Sequence, residues 1–233
     1  MEWPKSKSRD ASWREEISNY EAKESIAQKM AARLRDGDVV GVGSGSTSLL
    51  TLHAIVDVAK RQGFHFRAVI TSLEMEIACA ELVVPTLSLL EARPEWSFDG
   101  ADEVDGERNM IKGRGGAMVR EKLVMSASPE RYVLVDGSKI VQRLGERASI
   151  PIEVIPEALE LVKSQLLTTF PVLSLDLRLA VAKDGPIITE YGNLILDVRF
   201  SDVQPELDTA LNSVPGVVGT GLFIGFSPTL VTA

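Results

Sequence analysis

Residues 38–48 read DVVGVGSGSTS. Val39, Val40 and Val42 form a short β-branched run, the composition of a strand covered on both faces. It empties directly into Gly43, Ser44, Gly45, Ser46 and Thr47, and a helical pattern takes over across residues 48–61. A strand that turns through glycines and hydroxyls straight into a helix is the opening of a β-α-β unit. Upstream, Ile26, Met30 and Leu34 recur at i, i+4 and i+8 with Ala27 and Ala31 beside them. That spacing predicts an amphipathic helix over residues 22–35, stopped by Asp36-Gly37.

The same alternation continues downstream. FRAVIT (66–71) reads as a strand leading into a helix over 74–82, and WSFDG (96–100) and YVLVDGS (132–138) as two more strands, each closed by Asp-Gly. Strand and helix in turn predict an α/β fold, a Rossmann-like parallel sheet with helices on both faces. After about Gly145 the order changes. SIPIEVIP (149–156), a helix over 156–168, LDLRLAV (175–181), NLILDVRF (193–200), a helix over 204–212 and VVGTGLFIG (217–225) as the last strand give β-α-β-β-α-β. That is the ferredoxin-like split motif, so a smaller α+β module is expected.

Bulk properties narrow the function. The chain has 233 residues, 45% of them hydrophobic, which suits one large domain or a main domain with an appendage. With 25 Lys and Arg against 33 Asp and Glu, the formal charge is −8, which argues against nucleic-acid partners and anionic membranes. It leaves room for a local basic pocket that holds an anionic metabolite. Cys79 is the only cysteine, so no intrachain disulfide is expected and a cytoplasmic location fits. No apolar run reaches the roughly 18 residues of a membrane span, and the first twenty residues lack a signal-peptide stretch. Those residues read as a mobile or helical extension, or as a docking segment through Trp3 and Trp13.

In open α/β sheets, ligands sit beyond the carboxyl ends of the strands. The polar, glycine-rich segments 43–47, 71–72, 99–102 and 136–139 all follow predicted strands. In GVGSGSTS the glycines permit a sharp turn, and Ser44, Ser46 and Thr47 put hydroxyls where a helix N-terminus attracts phosphate. No Lys follows the last glycine as in a Walker loop, and Ser46-Thr47 breaks the dinucleotide fingerprint. A tight turn with a Ser or Thr cap remains the alternative.

The densest stretch is DGADEVDGERNMIKGRGGAMVREK, residues 99–122, with six carboxylates, five cationic side chains and five glycines. Asp99 ends a strand, and Gly100-Ala101 brings Asp102 back near it. Two close carboxylates suit acid/base chemistry, although the same four residues also make an ordinary turn. Lys112 follows Met110-Ile111, so its stem is expected to pack, and Gly113, Gly115 and Gly116 form a donor-rich loop. Glu121 lies one turn into the next helix, on the face of Ala117, where its carboxylate can look back towards Asp99 and Lys112. The alternative is a solvated Glu paired at the surface. In VDGSK, Lys139 is a phosphate ligand or a plain surface lysine. His53 and His65 share no metal-ligand spacing and no Ser lies in a nucleophile elbow, so neither catalytic zinc nor a Ser-His-acid triad is expected.

GVGSGST, DGADEVD, IKGRGGAMVREK, VDGSK, GNLILDV and PGVVGTGLF occur in one order across residues 22–225. Taken together, these blocks resemble the type A ribose-5-phosphate isomerases of the pentose phosphate pathway. The resemblance implies an enzyme without metal or cofactor that interconverts D-ribose 5-phosphate and D-ribulose 5-phosphate through an enediol(ate). Carried over by motif position, Glu121 is the base between C1 and C2 and Asp99 the acid/base partner for ring opening. Lys112 is the cation on the oxyanion, with Asp102 orienting it. Lys23, Ser44, Gly45, Ser46, Thr47, Gly113, Gly115, Gly116 and Lys139 are substrate and phosphate ligands. Beyond an N-terminal extension (1–21) that is longer than usual for the family, the resemblance implies a Rossmann-like catalytic domain (22–145, completed by 221–233) and a ferredoxin-like lid domain (146–220). A cytoplasmic homodimer or homotetramer follows in the same way. Ser44 stands where relatives often carry Thr, and Arg114 where Gly is frequent. A non-catalytic sugar-phosphate sensor, or an isomerase of another aldose phosphate, is the competing reading. A sensor has no need of a base, a cation and a second acid together, and the chain shows no DNA-binding helix pair.

Overall fold

A computed structural model of the protein describes residues 17–233. Trp3 and Trp13 lie outside the described residues. The chain forms two compact units and passes between them at 100/101, 123/124, 138/139 and 227/228.

The first unit is built on six parallel strands: β1 (Val39–Val42), β2 (Arg67–Ile70), β3 (Thr86–Leu87), β4 (Trp96–Gly100), β7 (Glu130–Leu134) and β13 (Thr229–Val231). Their order across the sheet is β13-β7-β4-β1-β2-β3. From β1 the chain builds outward through β2 to β3, then returns to β1's other side for β4 and β7. The reversal of winding therefore falls between β1 and β4, where such sheets hold their ligands. Period-2 alternation divides the strand residues between two faces. Val40, Val42, Ile70, Phe98 and Leu134 join one core with the buried sides of α1 (Tyr20–Ala31), α2 (Gly45–Gln62) and α3 (Leu73–Glu81). Val39 and Val69 pack on the other face with Val124 of α4 (Met118–Ala127). Helices thus cover both faces, as the sequence predicts. Cys79 is fully buried in α3, and burial, helped by the charge of Glu76, pushes its thiol up to about 12. It stays a protonated packing residue.

The second unit carries an antiparallel sheet of β8 (Ile150–Val154), β9 (Val172–Leu177), β10 (Leu194–Phe200) and β11 (Val217–Thr220), ordered β11-β8-β10-β9. With α5 (Leu159–Thr169) and α6 (Glu206–Asn212) this is the predicted β-α-β-β-α-β motif. Its core joins Ile150, Ile152 and Val154 to Val162, Leu166, Leu196 and Leu211. A small second sheet, β12-β6-β5, consists of β5 (Glu103–Val104), β6 (Met110–Ile111) and β12 (Leu222–Phe223). Among the described residues, no helix is long and apolar enough to cross a membrane.

Several boundaries differ from the expectation. The helix predicted from residue 48 starts at Gly45, so Gly45, Ser46 and Thr47 form its first turn. The strand predicted over 175–181 runs Val172–Leu177. Its partner β10 starts at Leu194, just after the turn at Gly192, so Leu179 meets only an isolated bridge to Pro186. The expected last strand, 217–225, breaks at Gly221 into β11 and β12, which belong to different sheets. At the break, Gly221 N–H donates to the Pro151 carbonyl, and its own carbonyl accepts from Lys112 N–H. The true last strand, β13, pairs with β7.

Candidate active site

In the first unit the turn after β1 lies against the end of β4. Gly43 N–H donates to the Phe98 carbonyl at 2.8 Å. A Cβ on Gly43 would fall 2.1 Å from Asp99 Cγ, so only glycine lets the two loops approach this closely. Asp99 is 4% exposed. Its Oδ1 accepts from Ser44 N–H (3.1 Å), Gly100 N–H (2.7 Å) and the Ser48 hydroxyl (3.5 Å). Two loops and one helix thus fix the carboxylate at the point where the winding reverses.

Ser44 occupies the N-cap position of α2 in an extended conformation, but its side chain does not cap the helix. Its hydroxyl lies 2.7 Å from Thr71 Oγ1, and Thr71 donates its one hydrogen to the Val42 carbonyl. Ser44 is therefore the donor to Thr71. The first turn of α2 lacks a side-chain cap from Ser44, and its dipole favours an anion there. Lys23 of α1 brings an ammonium to the same turn, with Nζ 3.2 Å from Ser46 Oγ and 3.5 Å from Ser18 Oγ. Gly45 and Ser46 are exposed. Beyond β7, Asp136 accepts from the Asn19 side chain at 3.2 Å, tying that strand's end to the start of α1. A helix N-terminus, a hydroxyl-rich turn and an ammonium are the chemistry that attracts a phosphate monoester.

In the second unit, the residues after Asp99 and Gly100 are sorted by the β5–β6 hairpin. Asp105 Oδ1 accepts from Glu107 and Asn109 N–H, which closes the hairpin turn. Glu103 is 1% exposed, and its two oxygens take the N–H groups of Gly145, Arg147 and Ala148, each at 2.6 Å. It is a loop anchor. Lys112 follows β6, and its Nζ lies 3.2 Å from Glu121 Oε2, with the two side chains only 3% and 6% exposed. That burial removes the solvated-surface reading of Glu121. Lys112 Nζ also sits 5.5 Å from the centroid of the buried Phe223 ring, within cation–π range.

The loop between Lys112 and α4 is tightly pinned. Gly113 has φ +102°, and a Cβ there would press to 2.8 Å from Met118 Cβ. Gly116 N–H returns to the Gly113 carbonyl at 2.9 Å, and Arg114 N–H donates to Asp102 Oδ2 at 3.1 Å. Asp102 thus acts on the loop's backbone. Gly115 is exposed, whereas Gly113 and Gly116 are buried. Lys139 ends a 3-10 turn, Gly137–Lys139, and is half-buried. Next to Glu121, Lys122 donates to the Leu222 carbonyl (2.7 Å) and meets Asp208 at 3.4 Å. Burial lowers its pKa, against the opposing pull of Asp208. Among the described residues, no three His, Cys, Asp or Glu side chains gather as a metal-ligand set.

Sequence reasoning picked out Thr71 as part of a loop but not as the acceptor for Ser44, and it missed Ser48 and Arg178. Thr71 follows β2 directly, so its place at the sheet's carboxyl edge was readable. Arg178 carried no local signal, because its partners are Asp197 and the 113–114 backbone.

Comparison with known proteins gives a consistent result. A family model described as ribose 5-phosphate isomerase A (phosphoriboisomerase A) matches residues 67–233. The chain is 42% identical over 211 residues to ribose-5-phosphate isomerase A of a Synechococcus species, covering 88% of this chain and 89% of that protein. The solved ribose 5-phosphate isomerase A of Methanocaldococcus jannaschii superposes with a TM-score of 0.85 at 36% identity, covering 88% of this chain and 92% of that one. A D-ribose-5-phosphate isomerase in complex with phospho-erythronic acid superposes with a TM-score of 0.86 at 34% identity, covering 90% and 93%.

Proposed function

The chain belongs to the ribose 5-phosphate isomerase A family, and on that footing we propose that its own side chains carry the interconversion of D-ribose 5-phosphate and D-ribulose 5-phosphate. The buried Lys112–Glu121 pair is the observation that carries this reading. Removing two charges from water is costly, and active sites are where proteins retain such pairs for chemistry. Isomerisation of an aldose needs a fixed base beside a carbonyl carbon and a cation at the carbonyl oxygen. These two groups meet both needs.

Asp99 takes the anomeric hydroxyl proton and returns a proton to the ring oxygen, which opens the sugar. Glu121 then removes the proton on C2. The C2–H electron pair forms the C1–C2 double bond, and the carbonyl π electrons move onto O1. Lys112 neutralises that developing charge, and Gly113, Gly115 and Gly116 allow backbone N–H groups to approach it. Glu121 returns its proton to C1 as the proton on O2 passes to O1, so the C2–O2 bond becomes the carbonyl and the ketose carries a hydroxyl on C1. Asp102 holds the loop through Arg114 N–H. Lys23, Gly45, Ser46 and Thr47 hold the phosphate at the start of α2, with Ser44 shaping the turn and Lys139 adding positive charge. Support for this seat comes from the helix terminus and the 3.2 Å contact of Lys23 with Ser46. The relative solved with phospho-erythronic acid carries a ligand of matching chemistry, a phosphorylated sugar acid.

Incubation with ribose 5-phosphate in excess chelator, followed by ketose absorbance, tests the proposal. Ketose should form at the same rate with and without chelator. Absence of ketose, or its loss on chelation, would contradict a reaction run by protein groups alone.

A further inference from the structure

Lys112 and Glu121 meet only if the intervening loop holds one shape, and glycine-rich backbone does not hold a shape by itself. Arg178 supplies the constraint. It lies just after β9, where that strand leaves its partner, and its own N–H donates to the Ile195 carbonyl at 2.9 Å. Its side chain is only 13% exposed, and the guanidinium grips Asp197 of β10 in two places, Nε to Oδ2 at 2.7 Å and Nη2 to Oδ1. The remaining nitrogen, Nη1, reaches the carbonyls of Gly113 (2.8 Å) and Arg114 (3.0 Å).

Two successive peptide groups are fixed as a result. The Gly113–Arg114 peptide is held at both ends, its carbonyl by Arg178 and its N–H by Asp102. The Arg114–Gly115 peptide is held by its carbonyl. Gly115 is an exposed residue, and in a trans peptide the N–H points opposite to the C=O, so the Gly115 N–H is turned away from Arg178. We infer that Arg178, locked by Asp197, is a positioning residue for the isomerisation. It sets the Lys112–Gly116 loop so that the ammonium stays on Glu121 and the Gly115 N–H is aimed outward as a donor to the substrate's developing oxyanion. The planar fork is essential to this task. A lysine has one point of charge and cannot grip a carboxylate at two atoms while bonding two carbonyls. The inference rests on the proposed roles of Lys112 and Glu121.

The test compares Arg178→Lys, Arg178→Ala and the double variant Arg178→Met/Asp197→Leu. The double variant removes both charges together, so no lone buried charge is left to prevent folding. Steady-state kinetics with ribose 5-phosphate are normalised to native protein by circular dichroism. All three should lose about tenfold or more in kcat, with KM changed far less, because positioning of the reacting groups is lost and phosphate binding is kept. Added guanidinium should restore part of the kcat of Arg178→Ala. Normal kcat in any folded variant overturns the inference. So does a loss that tracks native content and that guanidinium does not relieve. Glu121→Gln is assayed alongside. Normal turnover there would sink the base assignment itself, whereas an inactive Glu121→Gln beside a fully active double variant would sink only the role of Arg178.

Discussion

Asp105 turns a hairpin, Glu103 anchors a loop some forty residues away and Glu121 meets an ammonium, although all three come from one acidic, glycine-rich stretch. What separates them is the partner that the fold supplies. Glu153 makes the same point in β8. It is 1% exposed and accepts from the Thr189 hydroxyl and the Asn193 side chain, each at 2.8 Å. Burial raises its pKa above the ordinary 4.5, the bonds from Asn193 and Thr189 oppose the rise, and the charge of Glu190 adds to it. The folded state therefore holds this proton more tightly than the unfolded chain does. The resulting stability is fully present below the unfolded value and is lost as pH rises through the folded one. Glu153→Gln should be gained back on the wild type as pH rises: urea unfolding from pH 4 to 7 should show the variant's relative stability increasing. A constant or falling difference would contradict a raised Glu153. At this scale, Lys112 and Glu121 could be picked out in the sequence because both flank a glycine loop. Glu103 could not be separated from Asp102, because its partners are backbone N–H groups of residues 145–148 that no spacing rule connects to it.

At the scale of elements, the strand-to-helix turn after β1 was legible because Val-Val-Gly-Val followed by Gly-Ser-Gly has few other uses. The short strands were not. β3, β5, β6 and β12 are two residues long, too brief for any period to show, and Gly221 splits an apparently continuous apolar run. β9 was misplaced because Leu175, Leu177, Leu179 and Val181 keep alternating after the partner strand has ended, and Leu179 and Val181 are left exposed. The close approach of β1's turn to β4 carries its own prediction. Gly43→Ala must push Asp99 aside, since the added methyl would lie 2.1 Å from its Cγ. Such overpacking costs about 1–3 kcal/mol. With the acid/base role proposed for Asp99, a displacement of about 1 Å lowers kcat by up to about a hundredfold. Thermal unfolding and kcat measured together check it, and a variant with wild-type kcat would free Asp99 from any role in the reaction.

Across the whole molecule, a parallel α/β unit and a ferredoxin-like α+β unit were both readable from element order alone, since alternation and β-α-β-β-α-β are properties of the sequence. The sheet's winding was only implicit. The reversal between β1 and β4 emerges once strand order is known, and it is what gives the Gly43 turn and Asp99 their common place. The account depends most on Glu121 as the group that carries a proton between two carbons. The direct measurement is hydrogen exchange in heavy water, following deuterium entry at C1 of ribulose 5-phosphate and C2 of ribose 5-phosphate by NMR. The wild type should label the sugar during turnover, or retain the original hydrogen while still isomerising. Glu121→Gln, folded and still binding phospho-erythronic acid, should neither isomerise nor exchange. Isomerisation or labelling at the wild-type rate by that variant would contradict the account.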